Sequence, residues 1–207
     1  MQHQRLFIDG PTGKLQAIYH KGEQGKPAVV VCHPHPLHGG TMRNKVVYWM
    51  ARTFEDQGMH VLRFNFRGVE ESEGVWDEGN GESHDVQAAL QWLAQQHPDA
   101  PLWFSGFSFG CFAGLQAARR NPNVQRMIAV APAVNIWKFD FMQGETRPLT
   151  VIQGTSDEIV PCADVLAWAK DYPHMDVHQI NGAGHFFVNQ MDEMCACLPK
   201  VIDADPR

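Results

Sequence analysis

The sequence predicts an α/β fold, a mostly parallel central sheet of about eight strands with helices on both faces. Three observations carry that expectation. Apolar strand-like runs alternate along the chain with segments of helical spacing, the pattern of parallel strands joined by right-handed crossovers. Ala28-Val29-Val30-Val31-Cys32 is apolar without alternation, as a strand covered on both faces must be. Pro101-Leu102-Trp103-Phe104 leads through Gly106-Phe107-Ser108-Phe109-Gly110 directly into an Ala-rich stretch over 111–120, which reads as strand, sharp turn, helix.

The remaining elements follow in order. Arg5-Leu6-Phe7-Ile8 and Leu15-Gln16-Ala17-Ile18-Tyr19 flank Asp9-Gly10-Pro11-Thr12-Gly13, whose glycines and proline mark the turn of an antiparallel hairpin. Val46, Val47, Met50, Ala51 and Phe54 have helical spacing over 44–56, closed by Gly58. A strand over 61–66 ends in the glycine- and glutamate-rich 67–82, and a helix over 85–96 places Val86, Ala89, Leu90 and Leu93 on one face before His97-Pro98 stops it. Beyond the helix over 111–120 the pattern predicts strands over 124–130, 149–153 and 177–180, helices over 163–170 and 188–202, and an irregular connection over 135–147.

Length and composition restrict the classes of function. A chain of 207 residues fits one domain, 1–207, large enough to bury about 70% of its unfolded surface without metals or disulfides. A net charge of −6, with 17 basic against 23 acidic residues and no long basic run, argues against nucleic acid or an anionic membrane as partner. Five cysteines in neither a disulfide-framework nor a Cys-x-x-Cys spacing read as buried, reduced thiols, which suits a cytoplasmic protein, as does the lack of an apolar leader or an 18-residue apolar run. A monomer or a homodimer is expected.

Chemistry is expected at the carboxyl ends of the strands, where sheets of this class bind ligands. Glycines on either side of Ser108 let strand and helix approach closely, so that the hydroxyl stands exposed at the corner and the first helical N–H groups, Phe109's among them, point to where an oxyanion would form. A serine needs a base, usually a histidine oriented by a carboxylate. Two later strand-end loops supply candidates: Gly154-Thr155-Ser156-Asp157-Glu158 and Asn181-Gly182-Ala183-Gly184-His185. Ser108 is the candidate nucleophile, His185 the candidate base and acid, and Asp157 the candidate carboxylate, with Glu158 its neighbouring rival. A binding module that keeps the fold without turnover is the alternative from another class.

With its order of serine, acid and histidine, the chain resembles the α/β-hydrolases, and over nearly its whole length a small, lidless group of predicted bacterial serine hydrolases. The residues that carry the resemblance are Cys32-His33-Pro34-His35-Pro36-Leu37-His38-Gly39-Gly40-Thr41-Met42, Phe64-Asn65-Phe66-Arg67-Gly68, the Ser108 turn, Gly154-Thr155-Ser156-Asp157 with Val160-Pro161, and Gly184-His185-Phe186. The resemblance implies a carboxylesterase-like activity on small ester or thioester substrates, with no cofactor. It also implies an oxyanion hole formed by the N–H groups of His35 and Phe109. The group's pattern has glycine at position 70, where this chain has glutamate, which sits poorly if φ is positive there. Arg67 is expected to pair with Glu70 or Glu71 as a solvated ion pair, or to meet an anionic substrate group.

Only about a dozen residues separate the sixth strand from the acid-bearing one, where larger relatives insert a lid. That stretch, with Ile136, Trp137, Phe139, Phe141 and Met142, is expected to form a short flap over an apolar pocket for short acyl chains, with Phe107, Phe109, Phe186 and Phe187 beside it. His33, His35 and His38 also have the spacing of a metal-binding H-x-H-x-x-H run, although Leu37 stands where the corresponding hydrolases carry an aspartate. A metal-dependent hydrolase is therefore the third reading.

Overall fold

The computed structural model describes residues 3–203. The predicted hairpin is β1 (His3–Gly10) and β2 (Gly13–His20), followed by β3 (Ala28–Cys32), α1 (Lys45–Asp56), β4 (His60–Phe64), α2 (Asn80–Gln96), β5 (Leu102–Phe107) and α3 (Phe109–Arg120). Then come β6 (Val124–Val130), β7 (Leu149–Gly154), α4 (Cys162–Ala169), β8 (Met175–Ile180) and α5 (Met191–Asp203). The eight strands form one sheet in the order β1-β2-β4-β3-β5-β6-β7-β8, antiparallel from β1 to β4 and parallel across the rest.

Alternation along each strand divides the core into two layers. Val29 and Val31 of β3, with Trp103 and Phe107 of β5, face α1 and α5, where Val47, Met50, Phe54, Met194 and Leu198 pack against them. Ala28, Val30 and Cys32, with Phe104, face α2 and α3 through Val86, Ala89, Leu90, Leu93, Ala113 and Ala117. Every residue of β3, β4 and β5 is buried, which is why these runs carry no polar alternation. Among the described residues no helix is long and apolar enough to cross a membrane.

Where boundaries differ from the sequence reading, local hydrogen bonding decides. The strand expected over 61–66 leaves the sheet after Phe64, because the N–H of Phe66 donates to His33 Nε2 at 3.0 Å. Helix α2 begins at Asn80, five residues early, because the Glu82 carboxylate accepts from the N–H groups of Asp77 and Gly79 at 3.0 and 2.7 Å and so caps an extra turn. Helix α5 begins at Met191, since Phe187 and Asn189 take positive φ values of 52° and 68° in the preceding loop. The connection over 135–147 holds one short 3-10 turn, Asp140–Met142, and no inserted domain.

Arg67 corrects an expectation. It is buried, not solvated, and its partner is Asp85 of α2: Nη2 donates to Oδ1 at 2.7 Å, Nε to Oδ2 at 3.0 Å, and the backbone N–H to Oδ2 at 3.1 Å. A carboxylate from the helix thus fixes the chain just past β4. Glu70 pairs instead with Arg43 and accepts from Asn65 Nδ2 at 2.7 Å. Its φ is +50°, the conformation that glycine would take without cost.

Buried histidines make stability depend on pH. His33 is fully buried, and desolvation pushes its pKa down to about 3; burial, with the neighbouring His97 ring, pushes His60 down to about 4. Because both folded values lie below the unfolded one, the unfolded chain binds more protons as pH falls below about 6.5. Their stabilisation is complete above that pH and is lost progressively below it. His20, His35 and His97 shift the same way, and Glu82, raised by burial, the opposite way. Urea-unfolding free energies measured from pH 7.5 to 4.5 should fall by about 1.4 kcal/mol per pH unit for each such histidine at most, and less steeply in His60→Gln. A flat profile contradicts the neutral, buried state of these rings.

Candidate active site

The site is assembled where β3, β5, β6, β7 and β8 end. Between β5 and α3 the chain turns at Ser108 with φ 56° and ψ −117°, a strained conformation for a residue bearing a Cβ. The flanking glycines are what permit the turn. A Cβ on Gly106 would lie 2.7 Å from the backbone of Gly110, and one on Gly110 would lie 2.6 Å from the carbonyl oxygens of both Cys32 and His33. The second contact brings the first turn of α3 against the end of β3, so the turn and the loop after Cys32 form one wall.

Across the site, β7 and β8 deliver the other two groups. His185 Nε2 lies 3.0 Å from Ser108 Oγ, and His185 Nδ1 lies 2.8 Å from Asp157 Oδ2. Asp157 is held from every side: Oδ1 accepts from the N–H groups of Ile159 and Val160 at 2.9 and 2.7 Å, and Oδ2 also accepts from Gln153 Nε2 at 3.1 Å. Burial pushes its pKa upward, yet the hydrogen bond from His185 and those from Val160 and Ile159 outweigh it, so the carboxyl stays below its ordinary value and ionised at neutral pH. An ionised Asp157 accepts from Nδ1–H, which leaves Nε2 as the acceptor facing the serine. The rival Glu158 has a different partner, accepting from the backbone N–H of His185 at 3.1 Å.

His35 and Phe109, two residues lining the same cleft as Ser108, each carry a backbone N–H. Phe109 is the first residue of α3, so its N–H has no intrahelical acceptor. Among the described residues, neither the Phe109 N–H nor the His35 N–H donates to another protein group. The His35 peptide is nevertheless fixed, because its carbonyl accepts from His38 and Gly40 N–H at 3.1 and 3.0 Å and its Nδ1 accepts from Leu37 N–H at 3.2 Å. His33 anchors the loop from below, with Nδ1–H donating to the Pro34 carbonyl at 2.7 Å while Nε2 accepts from Phe66. Both its ring nitrogens are thereby used inside the protein. The three-histidine metal reading fails on that geometry, and the His35 ring stacks on His38 at 4.3 Å instead.

The cleft measures about 180 Å³ and is lined by His35, His38, Asn44, Phe109, Ile136, Trp137, Ile159 and Phe186 around Ser108 and His185. Trp137 and Phe186 thus stand at the wall, as does Phe109. Phe107 and Phe187 do not. Each is completely buried in the layer facing α1 and α5, and the Phe107 ring lies 5.0 Å from that of His185, backing the imidazole. Strand alternation explains the error, since Phe107 is the last residue of β5 and points into the sheet's covered face. The flap contributes Ile136 and Trp137, while Phe139 and Met142 are buried core.

Sequence reasoning missed Gln153, Asn44 and Ile159 at the site. Asn44 caps α1, its Oδ1 accepting from Val46 N–H at 2.9 Å, and Ile159 follows the Asp157 turn. Trp76, also missed, lies behind the cleft against His35 and Phe109 at 4.7 and 5.1 Å. Only Gln153 carried a signal, an amide ending a mostly apolar strand.

Known proteins align with this arrangement. A family model described as the alpha/beta hydrolase fold matches residues 27–143. An uncharacterised protein of Rickettsia prowazekii is 39% identical over 205 residues, covering 94% of this chain and 86% of its own length. Among solved structures, an α/β serine hydrolase without lid from Xanthomonas campestris superposes with a TM-score of 0.90 at 33% identity, covering 100% of this chain and 98% of that one. An alpha-beta serine hydrolase homologue from Coxiella burnetii gives a TM-score of 0.88 at 34% identity, with 97% and 98% covered. With a serine turn between β5 and α3, no lid inserted before β7 and these relatives matched along nearly the entire length, the chain belongs to the α/β-hydrolase family.

Proposed function

We propose that this hydrolase cleaves carboxylic esters or thioesters of short acyl groups through an acyl-enzyme on Ser108. The observation that carries the reading is the hydrogen-bonded row Ser108 Oγ, His185, Asp157, at 3.0 and 2.8 Å, in a cleft also lined by His35 and Phe109, whose N–H groups have no protein acceptor among the described residues. As Oγ attacks the substrate carbonyl carbon, His185 Nε2 takes its proton, and the carbonyl oxygen becomes an oxyanion held by the N–H groups of His35 and Phe109. Collapse of the tetrahedral adduct breaks the bond to the leaving alcohol or thiol, which receives the proton from the imidazolium. Water then attacks the acyl-serine, His185 taking and returning a proton in the same way, and the carboxylic acid leaves. Asp157 stays ionised throughout, holding the tautomer and stabilising the imidazolium.

The acyl group is best accommodated against Ile136, Trp137 and Phe186, with His35, His38 and Asn44 as the more polar lining. A cleft of about 180 Å³ walled by the flap takes in the first methylenes of an acyl chain. Each one buried contributes about 0.8 kcal/mol, and those projecting beyond the flap contribute little. Hydrolysis of p-nitrophenyl butyrate should therefore exceed that of the palmitate ester in kcat/KM, and a fluorophosphonate probe should label Ser108. Equal or faster turnover of palmitate removes the short-acyl reading, whereas a protein that neither labels nor turns over any ester removes the hydrolase reading and leaves a binding module. All five cysteines are free thiols, which suits a reducing compartment such as the cytoplasm.

A further inference from the structure

We infer that His3, His20 and Glu55 form a binding site for one divalent transition-metal ion, zinc being the ion that this donor set suits best. His3 opens β1 and His20 closes β2, and the two are directly opposed in the antiparallel pair. Glu55 reaches them from the last turn of α1. His20 pairs with Val61 near the start of β4, so the cluster lies at the amino ends of the parallel strands, away from the cleft at their carboxyl ends.

Four features make these residues a site and not a chance neighbourhood. One ligand atom from each lies within 4.8 Å of the others, a convergence found for no other such group among the described residues. His3 Nε2 is 3.0 and 2.9 Å from Glu55 Oε1 and Oε2. Glu55 and His20 are 5% and 8% exposed, so two of the three donors are already out of water. His20 Nδ1 is buried with no hydrogen-bond partner, a polar atom that folding has stripped of water without replacing it.

The chemistry of the donors selects the ion. Two imidazoles and a carboxylate are borderline nitrogen and oxygen ligands, which suit zinc and its neighbours, whereas calcium and magnesium require all-oxygen shells. Bonds of about 2.0 to 2.2 Å need the nitrogen and oxygen to stand about 3.3 Å apart in a tetrahedral shell, a small opening of the existing contact. The ion replaces the hydrogen-bonding proton between His3 Nε2 and Glu55, which is released to solvent, and water fills the fourth position. Two cationic groups near the cluster have other partners: Arg52 pairs with Asp56, and Arg63 Nη1 donates to the Met42 carbonyl. The half-exposed His3 leaves a path for entry. Such an ion would fasten the edge hairpin to α1.

The test uses the whole chain, stripped with a chelator and titrated with Co²⁺, then with Zn²⁺. One equivalent of Co²⁺ should produce visible d–d absorption, Zn²⁺ should abolish it by displacement, and each metal should raise Tm. His3→Gln and His20→Gln should each weaken Co²⁺ binding by at least about tenfold, the lower end of what losing even an outer partner costs. His38→Gln, in the cleft, should leave the signal unchanged. Should His20→Gln misfold, His3→Gln decides alone, since its side chain is partly exposed on an edge strand. Failure of the wild type to bind, or binding kept in His3→Gln and lost in His38→Gln, overturns the site.

Discussion

Ser108→Ala is expected to lower kcat for p-nitrophenyl butyrate by at least about 10⁴-fold and to abolish fluorophosphonate labelling, with little change in Tm. The substitution removes one oxygen whose hydrogen bond is made to His185, and it keeps the Cβ that already tolerates φ 56° at the turn. The fold therefore has no reason to change, while the bond-forming atom is gone. On the proposed mechanism, what survives is attack by water on a carbonyl polarised by the His35 and Phe109 N–H groups. His185→Ala should fall by a similar factor, because a hydroxyl without its base is scarcely nucleophilic. The double variant should fall no further than either single one, since the two groups act as a unit. Multiplicative losses, or turnover retained in Ser108→Ala, would show that another group performs the attack.

Asp157→Asn is the second large effect, about 10⁴-fold in kcat, and the hydrogen-bond pattern says why. All four neighbours of the carboxylate donate: Ile159 and Val160 to Oδ1, His185 and Gln153 to Oδ2. An asparagine must turn its NH₂ toward one of these pairs. Facing the backbone, it sets donor against two donors that cannot rotate. Facing His185, it makes Nδ1 the acceptor and puts the proton on Nε2, where it can no longer accept from Ser108. Either orientation also removes the charge that stabilises the imidazolium. Circular dichroism and Tm should stay close to wild type if the second orientation prevails. A kcat loss below tenfold, measured at pH 7.5, would mean that Asp157 does not set the tautomer and would return attention to Glu158.

Much of this was legible along the chain because the relevant forces are local or periodic. A five-residue run rich in β-branched residues, such as Ala28–Cys32, reads as a strand covered on both faces, and a serine between two glycines at a strand-to-helix junction reads as a tight corner. The pocket was less legible. Phe107 and Phe186 are both aromatic residues next to a candidate catalytic group, yet one is buried behind the imidazole and the other is 43% exposed at the rim. For Arg67 the nearby sequence offers Glu70, Glu71 or a substrate anion as partners, whereas its actual partner, Asp85, lies eighteen residues away on the next helix.

The order of strands and helices, the corner at Ser108 and the loops bearing Asp157 and His185 follow from the sequence by itself, since spacing, glycine placement and unbroken apolar runs are properties of neighbouring residues. Tertiary structure alone decided which of Asp157 and Glu158 meets the imidazole, that His33 spends both ring nitrogens on the backbone, and that Gln153 steadies the acid. Those outcomes depend on distances between segments far apart in the chain, and such distances are set by how two helix layers pack on a twisted sheet.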